Sequence, residues 1–144
     1  MTARAADQDL ERAEGGCLCK SVRYLVTGAP LSSIICHCSS CRKASGAPSV
    51  GWLTFHVSKF GLLAGELRSF QSSAGVTRKF CGVCGSPITY ENHRDHETID
   101  VTTASLDSPD RFPPVREVWV EHKVTWEVTN ESLDQFPTSS GEGP

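Results

Sequence analysis

Hydrophobic and polar residues alternate with a period of two along much of the chain. The pattern is clearest in SVRYLV from Ser21, in TIDVT from Thr98 and in EVWVEH from Glu117. Such alternation predicts strands with one buried face, because successive side chains of a strand point to opposite sides. Further short candidates, separated by turn-forming residues, are SIIC, VGWLTF, ELRSF, VTRKF, PITYE and VTWEV. The pattern therefore predicts an all-β protein built from several short, coiled antiparallel sheets.

Helix signals are few. RKAS, directly after Cys41, predicts one helical turn, and SPDRF predicts a second, with Ser108 as the N-cap and Pro109 at the first helical position. We predict a single domain over residues 14–137, since no internal repeat or second domain is visible. Residues 1–13 and 138–144 have the polar or Pro, Ser and Gly-rich composition of disordered tails.

Composition narrows the possible functions. The hydrophobic fraction is low, 38% of 144 residues, so a metal site is an expected additional source of stability. The formal net charge of −3 argues against general nucleic-acid binding. No segment has an apolar run long enough for a signal peptide or a membrane span. We therefore expect a soluble, cytoplasmic protein without a nucleic-acid or membrane partner.

Cysteine is the residue type that carries most of the candidate chemistry. The seven cysteines form three groups: Cys17 and Cys19 in GGCLCK, Cys36, Cys38 and Cys41 in ICHCSSCRK, and Cys81 and Cys84 in FCGVCGS. Their number is odd, and a reducing compartment disfavours disulfides. Metal ligation or catalysis is therefore their expected use.

The outer two groups predict a structural zinc site. CGVCG has the form of a zinc knuckle, in which glycines let backbone N–H groups approach the sulfurs. A knuckle supplies two ligands, here Cys81 and Cys84, and the best available second pair is Cys17 and Cys19. Structural zinc contributes roughly 10 kcal/mol of apparent binding free energy in small domains, so metal and folding would be linked. The predicted domain is thus a zinc-binding β domain.

The middle group predicts a site of another kind. Cys36, Cys38 and Cys41 offer three ligands, which is the number that catalytic zinc usually receives, with a fourth position left for water or substrate. Three alternatives stay open. In the first, a histidine from elsewhere in the chain is the fourth ligand of the ion. His37 is poorly placed for this role, because in an extended segment it points away from an ion shared by its neighbours. In the second, the knuckle binds the same ion as the middle group. In the third, an iron–sulfur cluster takes the place of zinc.

An open three-thiolate zinc site favours thiol chemistry over hydrolysis. Its net charge of about −1 makes it a weak activator of water, and its soft ligands favour sulfur as the fourth ligand. A thiolate held beside a small aldehyde would add to the carbonyl carbon, and the reverse reaction would be that of a lyase.

Residues that flank the cysteines carry weaker signals. The basic pair Arg42–Lys43 would offset thiolate charge or receive substrate carboxylates, unless it is simply solvated. We interpret Arg78–Lys79 as charge balance or surface. Trp52 and Phe55 are candidates for a pocket wall, although core packing is the more common role of such residues.

The segments GGCLCKSVRY, CHCSSCRKASGAP, RKFCGVCGSPITY and ETIDVTTASLDSPDRFPPVREVW together resemble the glutathione-dependent formaldehyde-activating enzyme family, whose eukaryotic relatives include centromere protein V. The resemblance implies an Mss4-like all-β fold. It implies a structural zinc on the four outer cysteines and a catalytic zinc on the middle three. The implied activity is that of a carbon–sulfur lyase, the condensation of glutathione with formaldehyde to S-hydroxymethylglutathione.

Two hypotheses about function result. The first is a zinc-dependent carbon–sulfur lyase or synthase, whose partners are a small-molecule thiol and an aldehyde. The alternative is a non-catalytic, zinc-stabilised protein-binding module, in which both metal sites would be closed. Neither the residues nor the resemblance identifies substrate-binding side chains or an oligomeric state.

Overall fold

The computed structural model of the protein describes residues 12–140. Its strands, in chain order, are β1 (Arg12–Gly16), β2 (Arg23–Thr27), β3 (Ser32–Cys36), β4 (Val50–His56), β5 (Phe60–Ala64), β6 (Leu67–Ser73), β7 (Val76–Cys81), β8 (Pro87–Asn92), β9 (Thr98–Thr102), β10 (Arg116–Val118) and β11 (Asp134–Gln135). They form a three-stranded sheet of order β1-β2-β5 and an eight-stranded sheet of order β11-β10-β3-β4-β9-β8-β7-β6. The predicted all-β class is confirmed.

Strand pairing is antiparallel except at one edge of the larger sheet. There β10 runs parallel to both β3 and β11. The chain leaves β10 sharply, because Trp119 has a φ of 57° and a strand cannot continue through this left-handed conformation. The strand predicted in VTWEV is therefore wrong: that segment has no strand, and Trp126 within it is 72% exposed.

Helical structure is limited to short pieces. The α-helix α1 (Ser39–Ser45) begins before the turn that was predicted after Cys41, and Gly46 ends it with a φ of 71°. Pro109–Arg111 forms a 3-10 helix with Ser108 in the N-cap position, as predicted, although the Ser108 side chain makes no capping hydrogen bond. Within residues 12–140, no helix has the length and apolar character needed to cross a membrane.

The main core lies between the two sheets. Its largest side chains come from alternating positions of β2, β4, β8 and β9, and the most buried of them are Tyr24, Leu53, Phe55, Ile88 and Val101. Phe55 is thus a core residue. A second, smaller cluster contains Cys36, Cys41, Trp52 and Val118, so the middle cysteine group sits in its own apolar surroundings.

The first strand packs very closely on this core. The ideal position of a Cβ atom on Gly15 lies 2.6 Å from the ring of Tyr24, whose hydroxyl lies 2.7 Å from the Ser105 hydroxyl. Only glycine allows this approach. Strand β1 begins at Arg12, two residues before the predicted start of the domain, and at the other end Thr138 still accepts a hydrogen bond from the Trp119 N–H. The rest of the predicted tails, residues 1–11 and 141–144, lies outside the described residues.

Candidate functional site

The four outer cysteines meet where two hairpins face each other. Cys17 and Cys19 lie in the β1–β2 connection, where Lys20 adopts a φ of 69°. Cys81 is the last residue of β7, and Cys84 lies in the tight turn that follows. The four sulfurs all lie within 4.8 Å of one another. The structure thus brings together the four residues that were predicted as structural ligands.

The spacing and surroundings of this four-cysteine group fit a zinc ion. Cys17 Sγ lies 3.5 Å from Cys19 Sγ, which lies 3.8 Å from Cys81 Sγ. Sulfurs around tetrahedral zinc are separated by about 3.8 Å, given Zn–S bonds of about 2.3 Å. The N–H of Val22 donates to Cys17 Sγ at 3.2 Å and that of Val83 donates to Cys81 Sγ at 3.3 Å. Such donors stabilise thiolates, the form that binds metal.

Two serine hydroxyls, which the sequence did not single out, complete these surroundings. Ser21 Oγ lies 3.0 Å from Cys19 Sγ and 3.3 Å from Cys81 Sγ. Its hydrogen bond lowers the pKa of Cys81 to about 7. The hydroxyl of Ser86 lowers the pKa of Cys84 to about 5. Both serines stand two residues from a cysteine of the group, and this spacing is the signal that would have found them.

The three middle cysteines are placed by the end of β3 and the start of α1. Cys36 is the last residue of β3, Cys38 is the N-cap of α1 and Cys41 lies in its first turn. The N–H of Cys41 donates to Cys38 Sγ at 3.3 Å, which is the usual N-cap bond with sulfur as its acceptor. Their sulfurs also lie within 4.8 Å of one another. No further His, Cys, Asp or Glu side chain of residues 12–140 joins this group.

The charge distribution of this three-cysteine group suits a soft cation. Hydrogen bonds from the thiols of Cys36 and Cys41 lower the pKa of Cys38 to about 2. The same contact with Cys38 raises the pKa of the Cys36 thiol, and burial raises it further. The neighbouring thiols thus favour the thiolate form of Cys38. Three convergent sulfurs in an apolar cluster are a donor set that fits zinc, which replaces the thiol protons when it binds.

His37 points away from the three sulfurs. Its Nε2 lies 2.7 Å from Oε1 of Glu117, and both side chains are almost completely buried, with 1% and 3% exposure. The expectation that His37 is no ligand agrees with this geometry. The other carboxylate oxygen of Glu117 accepts the Asn130 N–H at 2.6 Å and the Gln135 Nε2–H at 3.1 Å. This buried pair ties the loop between Cys36 and Cys38 to β10.

Arg78 is the cation that reaches the three-cysteine group. Its Nη1 and Nη2 donate to Cys41 Sγ at 3.8 and 3.7 Å. From the sequence, we interpreted Arg78 as a residue that balances charge or lies at the surface. In the structure it is half-buried and contacts a cysteine sulfur. It stands on the same face of β7 as the buried Val76, but burial does not alternate along this strand, so no periodic signal in the sequence would have placed it inside.

A cleft of about 640 Å³ opens beside the three cysteines. Cys41 lies in its wall, together with the aromatic residues Trp52, Phe70 and Phe80 and the cations Lys43, Arg78 and Lys79. Trp52 thus belongs both to the second core cluster and to a pocket. The volume lies within the range of small-molecule sites, about 300–1,000 Å³. Lys43 is exposed at this cleft, whereas its neighbour Arg42 does not line it.

Comparisons with known proteins give one family match and a similar solved structure. A search of curated proteins found no match. A crystal structure of a Rhodobacter sphaeroides protein, a structural genomics target, is similar with a TM-score of 0.55 and 26% sequence identity, over 65% of this chain and 87% of that chain. The family model described as glutathione-dependent formaldehyde-activating enzyme matches residues 12–122, which include all seven cysteines. The chain therefore belongs to the glutathione-dependent formaldehyde-activating enzyme family.

Proposed function

We propose that the protein is a zinc-dependent carbon–sulfur lyase or synthase, which joins a glutathione-like thiol to formaldehyde or a similar small aldehyde. One observation carries the proposal: a second group of three cysteines has no fourth side-chain ligand among residues 12–140, and one of its members, Cys41, lies in the wall of a cleft. Structural zinc sites are closed by four protein ligands, whereas catalytic sites keep a position for an exogenous molecule. The four-cysteine group has the first arrangement and the three-cysteine group the second.

The reaction requires few groups. The thiol loses its proton, its sulfur forms a bond to the carbonyl carbon, the C=O double bond becomes a single bond, and the oxygen takes up a proton. The product is a hemithioacetal, and the reverse reaction releases thiol and aldehyde. Bound at Cys36, Cys38 and Cys41, zinc would supply a soft Lewis acid that lowers the pKa of an added thiol. The gain in rate would come mainly from deprotonation and from proximity of the reactants.

The cleft has the chemistry expected for a peptide thiol. Its apolar wall, with Trp52 and Phe70, would pack against the carbon skeleton of the substrate. Lys43, which is exposed at the cleft, would face a carboxylate of a glutathione-like molecule.

The decisive experiment measures the reaction itself. Zinc-loaded protein is mixed with glutathione and formaldehyde, and the exchange between free and S-hydroxymethylated glutathione is followed by NMR. We expect the exchange rate with protein to exceed that of the spontaneous reaction, even when the protein concentration is well below the substrate concentrations. The Cys38→Ala variant should retain one zinc ion and its circular dichroism spectrum but lose the acceleration. A zinc-saturated wild-type protein that neither binds millimolar glutathione nor accelerates exchange would refute the proposal.

A further inference from the structure

Arg78 makes three contacts that fix its side chain between two strands and α1. Its Nε donates to Ser72 Oγ at 3.2 Å, its guanidinium lies over the Tyr90 ring at 5.0 Å from the centroid, and its two Nη atoms donate to Cys41 Sγ. Tyr90 is also the cross-strand neighbour of Arg78 in β8. The guanidinium is therefore held in place independently of any ligand.

The usual partner of a half-buried arginine is missing here. No carboxylate of residues 12–140 lies within ion-pair distance of Arg78, and the anion it meets is the cysteine group. The next residue, Lys79, differs: its Nζ lies 3.0 Å from Glu91 Oε1. The two adjacent cations thus have different partners: Lys79 pairs with a carboxylate, and Arg78 contacts a cysteine sulfur.

Charge counting shows what this contact would do. Three thiolates and a divalent cation leave a net charge of about −1 in apolar surroundings, where an uncompensated charge is unfavourable. A guanidinium in contact with one sulfur brings the local sum to zero. Two N–H donors also fix the direction of that sulfur, as partners of metal ligands commonly do.

We propose that Arg78 is a positioning residue of the three-cysteine site, which compensates the charge of its thiolates and orients Cys41, and thereby sets the affinity of this site for zinc. The inference rests on the metal binding that the proposed function requires, but not on the lyase activity. Loss of such a partner typically weakens metal binding by about 10–100-fold. The four-cysteine site, which has its own serine and backbone donors, should be unaffected.

The test compares the Arg78→Gln and Arg78→Lys variants with a matched control, Lys79→Gln, which removes the same charge one residue away. Zinc is titrated in competition with a chromogenic chelator, so that the affinities of the tighter and the weaker ion are obtained separately. We expect Arg78→Gln to weaken only the second ion, by about 10-fold or more. Arg78→Lys should recover part of the loss because it keeps the charge but not the two-donor fork. Lys79→Gln should stay within about twofold of wild type.

Cobalt substitution adds a readout that a merely structural role of Arg78 would not change. The thiolate-to-cobalt charge-transfer band of the second ion should shift in Arg78→Gln and stay unchanged in Lys79→Gln.

The possible outcomes separate this inference from the proposed function. If wild type and Arg78→Gln have equal zinc affinities and equal cobalt spectra at the three-cysteine site, the role of Arg78 is refuted and the proposed function is not. A wild-type chain that binds only one ion would overturn both this inference and the proposed function. A chain that binds two ions without accelerating the reaction would leave the role of Arg78 supported and refute the lyase. If Arg78→Gln fails to fold, Arg78→Lys provides the same comparison.

Discussion

Removal of the Glu117 carboxylate should destabilise the protein strongly, although Glu117 is no metal ligand. In a Glu117→Ala variant, the His37 Nε2–H loses its partner at 2.7 Å inside the protein, where water does not reach it. The two other donors, the Asn130 N–H and the Gln135 amide, belong to exposed residues, so water can replace the carboxylate for them.

The magnitude follows from this difference between the three donors. A buried donor left without a partner costs about 1–3 kcal/mol, and a hydrogen bond to a charged group contributes about 1.5–3 kcal/mol. The two hydrated donors add little, since each exchanges one hydrogen bond for another. We therefore expect Glu117→Ala to lower the free energy of unfolding by about 2–3 kcal/mol, and Glu117→Gln by about 1–2 kcal/mol, because Gln keeps the shape and one acceptor.

Guanidinium unfolding of zinc-saturated protein, followed by tryptophan fluorescence, gives these free energies. The matched control is Glu121→Ala, which breaks a second Glu–His contact, to His122 at 3.3 Å, with both side chains about half exposed. This surface pair should contribute less than about 0.5 kcal/mol. A Glu117→Ala variant within 1 kcal/mol of wild type would refute the reasoning, since the buried imidazole would then have found another partner.

Three further predictions concern the folded framework. Cys84→Ser should lower zinc to at most one ion per chain in mass spectrometry and remove the cooperative unfolding transition, because the four-cysteine group links residues far apart in the chain. Gly15→Ala should lower the free energy of unfolding, measured by urea titration, by about 2–3 kcal/mol. The reason is that the new Cβ atom would lie 2.6 Å from the buried Tyr24 ring. An unchanged urea midpoint would contradict this close packing. Burial raises the pKa of Asp100 from 3.8 to about 6. The folded state thus binds the proton more tightly than the unfolded chain, and stability falls as the pH rises from about 4 to about 6. Asp100→Asn should be more stable than wild type by about 2 kcal/mol at pH 7 and lose this advantage towards pH 4, whereas a pH-independent difference would contradict this explanation.

The fold class and the grouping of the cysteines were accessible from the sequence because both are local signals. Alternation identifies β2, β9 and β10, and the spacing within each cysteine group limits how its sulfurs converge. Strand β5, with the sequence FGLLA, was not predicted, since an edge strand with exposed leucines shows no alternation of burial.

The contacts around the three-cysteine site were not accessible, because they join distant parts of the chain. The contact of Arg78 with Cys41 spans 37 positions, and the pair of His37 with Glu117 spans 80. Both depend on which strands become neighbours in the larger sheet. Residue type and spacing do not determine this topology, so basic and acidic side chains in such places look like ordinary surface charges in a sequence.

Strand β7 connects the two cysteine groups. It carries the guanidinium that touches one group and ends at Cys81, an anchor of the other. Three residues of extended chain cover about 10 Å, so Arg78 and Cys81 lie about this far apart on one strand, on either side of an irregularity in its pairing with β8 between Lys79 and Phe80. The two cysteine groups share this strand, so a change in the pairing of β7 would reach both of them.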